Sequence, residues 1–198
     1  SNAVKKSRQG IAEHVSSYVA DYKSYFQRCA ESSAAPKTML SPLPKLIWAE
    51  GIGLIGVGAN AKEARVITDL AQQNIKVMAD GADAGGFHPV EEQDLFDLEY
   101  WSLEQAKLGN SKPPAMQGQV VIVTGGAGAI GSAIAKEFHA AGAEIILVDN
   151  HAEQLEQVRS QIDPRISILQ VDITRSDAPT RIIEAVTKTF GGVDILIS

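Results

Sequence analysis

Beyond residue 118, short apolar runs alternate with stretches whose apolar residues recur every three or four positions. The runs are QVVIVT, EIILVD, ISILQVD and VDILIS, and the stretches between them are SAIAKEFHAAG, HAEQLEQVRSQI and APTRIIEAVTKTF. Strands that are apolar along their whole length are typical of a parallel sheet covered by helices on both faces. The pattern therefore predicts an α/β fold with a doubly wound, four-stranded parallel sheet.

The first 108 residues have a less regular pattern. Apolar residues spaced by three and four predict one helix over about residues 5–30, and an aromatic stripe of this kind favours packing or an interface over a ligand site. The stripe consists of Ile11, Val15, Tyr18, Tyr22, Tyr25 and Cys29. A proline-containing loop at 32–44, a short strand at 45–49 and a glycine-rich stretch come next.

Two further helices are predicted before the sheet. The first spans residues 61–79 and is ended by DGADAGGFHP, and the second is a short helical stretch over residues 97–108. The apolar face of the first consists of Ala64, Ile67, Leu70, Ala71, Ile75 and Met78. GNSKPPAMQG has the composition of a linker. We therefore predict a small α+β segment at 1–108, a linker at 109–118 and the sheet domain at 119–198.

The composition is that of an ordinary soluble protein, with 44% hydrophobic and 21% charged residues. The formal net charge is −6 without any block of like charges, which favours small-molecule partners over nucleic acid or an anionic membrane. No apolar run reaches the roughly 18 residues of a membrane span and the start lacks a signal-peptide profile, so we expect a cytoplasmic protein. Cys29 is the only cysteine, which excludes an intrachain disulfide and favours a buried thiol.

Two glycine-rich stretches match the pattern that binds the pyrophosphate of a dinucleotide. GIGLIGVG at 51–58 contains the strand-like residues Leu54, Ile55 and Val57, and no helix follows it at once, so a turn and a second strand fit it better. TGGAGAIG at 124–131 lies between an apolar strand and a helix. A helix that begins there would aim free N–H groups and a positive dipole end at an anion.

We therefore expect the second stretch to bind phosphate and the first to be structural. The predicted phosphate-binding residues are Gly125, Gly128, Ala129, Ile130 and Gly131. The face that the following helix turns toward the sheet is predicted to consist of Ile130, Ile134, Phe138 and Ala141.

Asp149 is the expected partner of this turn. It ends EIILVD and follows the last glycine by roughly the 20 residues typical of an acid that accepts hydrogen bonds from the adenosine ribose. Its carboxylate would repel a 2′-phosphate, and Asn150 and His151 supply no arginine to offset that charge. The predicted cofactor is NAD rather than NADP. Capping of the next helix is the alternative role for Asp149.

Three further residues complete the predicted cofactor-binding set. Asp172, at the end of the third apolar run, would reach the adenine amino group, although a turn or a helix cap fits its spacing nearly as well. Asn150 and Ile173 flank the two acids. We predict no catalytic residue, since no tyrosine is followed by lysine four residues later, and no metal ligand, because the histidines occur singly. They are His14, His88, His139 and His151.

Together these motifs resemble the short-chain dehydrogenase/reductase family, whose nucleotide-binding half is a Rossmann-type sheet. TGGAGAIG, VDN, VDIT and GGVDILIS carry the resemblance over residues 118–198. Ala129 departs from the common pattern T-G-x-x-x-G-x-G, but the three glycines fit the T-G-x-x-G-x-x-G spacing of the extended branch. The resemblance implies a catalytic serine and a Tyr-x-x-x-Lys pair after these strands, and the sequence contains no tyrosine after Tyr100.

KLIWAEGIGLIGVGANAKEARVITDLAQQNI is similar to the C-terminal portion of class II aldolase/adducin-type domains. FDLEYWSLEQAKL, a linker and a dehydrogenase domain come next, as in the family of bifunctional rhamnulose-1-phosphate aldolase/lactaldehyde dehydrogenases. This resemblance implies cleavage of a phosphorylated deoxy-ketose to dihydroxyacetone phosphate and lactaldehyde, and oxidation or reduction of the aldehyde with a nicotinamide cofactor. It implies zinc only in an aldolase part outside these residues, held by an H-x-H pair.

The residues at the two ends of the sequence favour the interpretation that it is a piece of a longer enzyme. SNA at residues 1–3 is typical of a removed affinity tag, and Ser198 closes an apolar strand without a cap. We expect a truncated chain that binds NAD but is inactive alone, in a parent that takes a small-molecule substrate. Two alternatives stay open: a non-catalytic dinucleotide-binding module, and a scaffold whose first helix forms an assembly surface, as in a homo-oligomer.

Overall fold

A computed structural model of the chain describes residues 2–33, 35–103 and 112–198. For residues 2–9 it describes the backbone only. The chain divides into two compact units. One consists of Ser1–Val57 and Ala64–Ser111, and the other of Gly58–Glu63 and Lys112–Ser198.

Helices α1 to α3 and a two-stranded hairpin precede the sheet. Their bounds are α1 Asn2–Ala30, β1 Leu46–Ala49, β2 Gly53–Gly56, α2 Ala61–Asp83 and α3 Glu92–Glu99. The core between α1 and α3 is aromatic: Phe96 and Tyr100 are buried, and their ring centroids lie 4.6 Å apart. Tyr25 and Phe26 of α1 pack on these two rings, beside the buried Cys29. The predicted stripe of α1 therefore packs at its C-terminal end, whereas Ile11 and Tyr18 are exposed.

The first glycine-rich stretch forms a β-hairpin, as its strand-like residues predict. β1 and β2 are antiparallel, with Leu46 opposite Gly56 and Ala49 opposite Gly53. Gly51 and Gly53 have positive φ, 74° and 113°, as the tight connection requires. A Cβ at Gly56 would overlap the carbonyl oxygen of Ala64, so this glycine lets the hairpin lie against α2.

The second unit is a parallel sheet with helices between its strands, which confirms the predicted α/β class. The elements are β3 Val120–Thr124, α4 Ala129–Ala140, β4 Glu144–Asp149, α5 Ala152–Ile162, β5 Ser167–Gln170, α6 Ala178–Phe190 and β6 Ile195–Ile197. The strand order is β5-β4-β3-β6, and all three pairings are parallel. This is the first half of a doubly wound sheet.

Both faces of the sheet are covered, as the continuously apolar strands predict. One face packs Val121, Val123, Ile145 and Leu147 against α4 and α5. The opposite face packs Val120, Ile122, Ile146 and Val148 against Ala178, Ile182 and Val186 of α6. Alternate residues of β3 and of β4 therefore enter different cores, which explains why neither of these two strands has a polar face.

Two predicted helices have other bounds in the structure. α2 continues through Gly81 to Asp83 and stops where Gly85 and Gly86 take positive φ, with the Gly86 N–H bonded to the Gly81 carbonyl at 2.9 Å. A single glycine in a helix costs only about 1 kcal/mol, so the break comes later than predicted. Leu70 and Met78, assigned to its apolar face, are exposed.

The sequence pattern predicts the second helix over 97–108, but α3 begins at Glu92 and ends at Glu99. Phe96 and Tyr100, four residues apart, share one side of this segment and anchor it in the core, while Glu92 and Asp94 favour its N-terminus. Residues 104–111, which include the end of that prediction and the start of the predicted linker, lie outside the described residues. The domain limits at 108 and 118 stay a prediction.

We expect Phe96→Ala to destabilise the first unit by about 3–5 kcal/mol, because it removes a fully buried ring from the aromatic core. Near-UV circular dichroism during urea unfolding would measure the loss through the neighbouring tyrosines. Leu98→Ala on the same helix is the matched control, since Leu98 is exposed and should change stability by less than about 0.5 kcal/mol. Equal effects of the two variants would contradict this packing.

Candidate functional site

The second glycine-rich stretch forms a tight strand–turn–helix. β3 ends at Thr124, Gly125 takes φ 63°, and α4 begins at Ala129 after the N-cap Gly128. The Gly126 N–H donates to the Val148 carbonyl at 3.1 Å and the Gly128 N–H to the Gly125 carbonyl at 3.0 Å. The helix therefore begins three residues earlier than predicted, so that Gly131 lies inside its first turn.

Close packing of backbone on backbone explains the glycines of this turn. A Cβ at Gly131 would overlap the carbonyl oxygen of Gly125, and a Cβ at Gly128 would lie 3.3 Å from the same oxygen. Gly126, which the sequence did not single out, is equally constrained, because a Cβ there would lie 3.0 Å from Cβ of Leu147. The turn and the first turn of α4 thus form one compact unit.

The start of α4 has the features of an anion-binding site. The N-cap Gly128 has no side chain to bond the helix, and the Ser132 N–H makes the i to i−4 bond to the Gly128 carbonyl at 2.9 Å. The N–H groups of Ala129, Ile130 and Gly131 precede that bond and belong to the donors that a helix cannot satisfy internally. Together with the helix dipole they favour a negatively charged group.

Asp149 contacts this turn directly. One carboxylate oxygen, Oδ2, accepts the Ala127 N–H at 3.1 Å. The other, Oδ1, accepts the His151 N–H at 3.2 Å and lies 3.0 Å from Nδ1 of the His151 ring. Asp149 does not cap the following helix: the N-cap of α5 is His151, which has no side-chain capping bond. The acid and the glycine turn, predicted to work together, are therefore hydrogen-bonded.

The surroundings of Asp149 hold it ionised. Burial by itself raises the pKa of this carboxyl, but the hydrogen bonds from the His151 side chain and from the backbone N–H groups of Ala127 and His151 outweigh it, so the pKa lies below its ordinary value. Only 12% of the side chain is exposed. A negative charge is thus fixed beside the glycine turn and the start of α4.

The remaining predicted residues lie at the same edge of the sheet, after β4 and β5. Asn150 is exposed, and its carbonyl accepts Nε2 of Gln170 at 3.1 Å. Asp172 is exposed too, and its Oδ1 accepts the Thr174 N–H at 3.0 Å and the Thr174 hydroxyl at 2.7 Å. The Thr174 hydroxyl lowers the pKa of Asp172. These contacts are those of a turn, the alternative role considered for this acid.

Ile130 is not on the face of α4 that packs against the sheet, which corrects the sequence prediction. It is 77% exposed, whereas Gly131 and Ala135 are buried against the strands and Phe138 is half-buried. The buried side of α4 is therefore centred one residue later than predicted. Ile130 and the 51% exposed Ile173 are apolar residues left at the edge where the turn opens.

A concave surface lies in the first unit, between α1 and α3. This groove of about 580 Å³ is lined by Tyr18, Tyr22, Tyr25, Leu95, Leu98 and Glu99, among others. Its polar groups bond one another: the Tyr22 and Tyr25 hydroxyls donate to the Glu99 carboxylate at 2.7 and 3.0 Å. Burial, then these bonds, raise the pKa of both tyrosines above the ordinary value of 10.0. Polar side chains that bond one another in this way are typical of a packing contact rather than of a ligand site.

Other kinds of site find little support in the described ranges. Within them no three His, Cys, Asp or Glu side chains come together as metal ligands would. No helix among these residues is long and apolar enough to cross a membrane.

Comparison with known families divides the chain in two. Residues 1–108 match the family model described as Aldolase class II, second domain. Residues 119–198 match the model of the short chain dehydrogenases.

Relatives of known sequence carry oxidoreductase names. The uncharacterized oxidoreductase YuxG of Bacillus subtilis (strain 168) is 28% identical over 194 residues, which cover 95% of this chain and 28% of that protein. The uncharacterized oxidoreductase SAUSA300_2422 of Staphylococcus aureus (strain USA300) is 33% identical over 81 residues, 40% of this chain and 35% of its own length. The chain thus spans about a third of the length of the curated relatives it matches, or less.

Solved structures align with less than half of the chain. The citronellol catabolism dehydrogenase AtuB of Pseudomonas aeruginosa PAO1 has 31% identity and a TM-score of 0.41 over 44% of this chain and 38% of its own. A short chain dehydrogenase from Bacillus anthracis has 32% identity and a TM-score of 0.39 over 40% and 33%.

We expect Gly131→Ala to destabilise the sheet unit by about 1–3 kcal/mol, because the new methyl forces the turn away from the helix. Urea unfolding followed by far-UV circular dichroism would measure the loss, and amide exchange would show it concentrated at residues 125–134. Gly192→Ala is the control, since a Cβ there meets nothing within 4 Å. The close approach is refuted if the two variants are equally stable.

Proposed function

The chain belongs to the class II aldolase second-domain family over residues 1–108 and continues into a short-chain dehydrogenase domain, and on this basis we propose that it binds NAD as part of a short-chain oxidoreductase fused to an aldolase. Oxidoreductase names among the relatives support the general activity. The residues of the candidate site favour NAD as the cofactor.

One contact carries the proposal: Oδ2 of Asp149 accepts the Ala127 N–H of the glycine turn at 3.1 Å. A dinucleotide presents a pyrophosphate and a ribose diol a few bonds apart, so its site needs donors for the first beside an acceptor for the second. The start of α4 offers the donors, and Asp149 offers the acceptor. The close packing of Gly131 against Gly125 matches the role of the third glycine in such a turn, which lets the helix pack closely on the segment before it.

The proposed roles follow from these positions. The N–H groups of Ala129, Ile130 and Gly131 would receive the pyrophosphate, behind the turn made by Gly125 and Gly128. Asp149 would accept hydrogen bonds from the adenosine ribose. The adenine would lie near the residues that come after β4 and β5, namely Asn150, Asp172 and Ile173. When bound, NAD supplies the hydride acceptor or donor of the redox reaction.

The charges favour NAD over NADP. Asp149 is ionised and mostly buried, so a 2′-phosphate placed against it would meet a fixed negative charge. Arg175, the arginine that comes after Asp172 in the sequence, is bonded to Asp177 at 2.9 Å. A 2′-phosphate would have to compete with that carboxylate for the guanidinium.

For the longer protein we propose the reactions that the domain order suggests. Its aldolase would cleave rhamnulose 1-phosphate, with zinc held outside the present residues, and its dehydrogenase would oxidise or reduce lactaldehyde. The resemblance of the aldolase-type segment, linker and dehydrogenase to bifunctional enzymes supports this assignment, and such metabolic chemistry favours a cytoplasmic location. The four tyrosines of this chain lie at or before residue 100, and none has lysine four residues later.

We expect the 198-residue protein to bind NAD more tightly than NADP, and Asp149→Asn to weaken NAD binding about 10- to 100-fold while removing the preference. The neutral amide loses charge-assisted bonds to ribose and no longer repels phosphate. Isothermal titration calorimetry with each dinucleotide at pH 7.5 measures the NAD affinity and the preference for NAD over NADP. Glu153→Gln removes the same charge nearby, in the first turn of α5, and should leave the preference intact. An equal or reversed preference in the wild type would remove the role of Asp149.

We also expect no oxidation of lactaldehyde by the pure chain with NAD, because no Tyr-x-x-x-Lys pair is present to move the proton. NADH absorbance at 340 nm is the measurement. Turnover by the pure 198-residue protein would show that another group transfers the proton.

A further inference from the structure

The carboxylate that we assign to ribose is already engaged by the protein. Oδ2 of Asp149 accepts the Ala127 N–H at 3.1 Å, and Oδ1 has both the His151 N–H at 3.2 Å and the His151 ring nitrogen Nδ1 at 3.0 Å. A carboxylate offers about four lone-pair positions in all. Two ribose hydroxyls therefore cannot both bond Asp149 while these three contacts persist.

Of the three contacts, only one can be given up at small cost. The Ala127 and His151 N–H groups belong to the backbone of the glycine turn and of the helix N-cap. The imidazole of His151 is a side chain and is 63% exposed, whereas the Asp149 side chain is 12% exposed. Rotation of the ring into solvent would free a position on Oδ1 without moving the backbone.

We propose that the His151 imidazole occupies the ribose-binding position of Asp149 in the free protein, and that a dinucleotide binds by displacing it. The proposal rests on the proposed function, since it requires Asp149 to bind ribose. Protonation of His151 adds a positive charge opposite the ionised Asp149 carboxylate, and the resulting ion pair is stronger than the bond from a neutral imidazole. NAD affinity therefore falls as the pH falls and the imidazole gains a proton.

The ionisable side chains that flank His151 in sequence are acids. Asp149 faces it from the end of β4, and Glu153 lies two residues further along in the first turn of α5. Asp172, beyond the neighbouring strand β5, is also an acid and is bonded to Thr174. Residues 125–128 of the turn and 167–170 of β5 have no ionisable side chain. Arg175, three residues after Asp172, is bonded to Asp177 at 2.9 Å.

The test is calorimetric titration of the full 198-residue chain with NAD at pH 5.5, 6.5 and 7.5. We expect the wild-type affinity to fall about tenfold from the highest pH to the lowest. His151→Ala should bind NAD about fivefold more tightly than the wild type at pH 6.5, with no dependence on pH. His151→Gln keeps an N–H donor without a titratable charge, and its affinity should also be independent of pH.

His139→Gln is the matched control. His139 forms another histidine–aspartate pair, with Nε2 3.5 Å from Asp163 Oδ2, and it lies on α4 away from the turn. This variant should keep the wild-type pH dependence. If it flattened the profile as His151→Ala does, the dependence would not come from Asp149 and the inference would be overturned.

Nuclear magnetic resonance gives a readout independent of affinity. Addition of NAD at pH 7.5 should move the His151 imidazole signals to the positions seen in the Asp149→Asn protein, where the pair is lost. If the His151→Ala protein binds NAD no more tightly than the wild type, or keeps the wild-type pH dependence, the inference is overturned. The proposed function would stand in that case. If neither protein binds NAD at any pH, the proposed function itself has failed.

Discussion

The backbone of α4 lies so close to the turn before it that no side chain fits at Gly131, where a Cβ would overlap the carbonyl oxygen of Gly125. Because the helix starts against the turn, its free N–H groups open at the edge where β3 ends. The same turn presents the Ala127 N–H to Asp149 at 3.1 Å. Turn, helix and acid are thus one hydrogen-bonded arrangement, and the candidate site depends on this approach.

The sheet brings the remaining groups to the same edge. β3, β4 and β5 run parallel and in register, with Thr124 opposite Val148 and Asp149 opposite Gln170. The segments at the carboxyl ends of these strands therefore lie side by side, although Gly125, Asn150 and Asp172 are far apart in sequence. Two separate cores, one on each face, stabilise this order of strands, and the cost of exposing either would oppose any change in it.

The aldolase-family unit is stabilised differently. Its core is a cluster of aromatic rings between α1 and α3, and a chain of hydrogen bonds joins Tyr22 and Tyr25 of α1 to Glu99 of α3. Tyr100 extends this chain, since its hydroxyl accepts the Leu40 N–H at 3.2 Å and ties the proline-containing loop to the same cluster. Tyrosines that could suggest proton transfer thus serve packing here.

Local pattern alone determined the alternation of strands and helices after residue 118, because continuous β-branched runs and 3.6-residue periodicity leave little choice. It also separated the two glycine-rich stretches, since strand formers fill one and a helix follows the other. Tertiary structure decided where α3 begins, because burial of Phe96 and Tyr100 outweighs local signals. It likewise turned Ile130 outward and bonded His151 to Asp149, since the exact start of a helix and the direction of a side chain depend on contacts that sequence spacing does not contain.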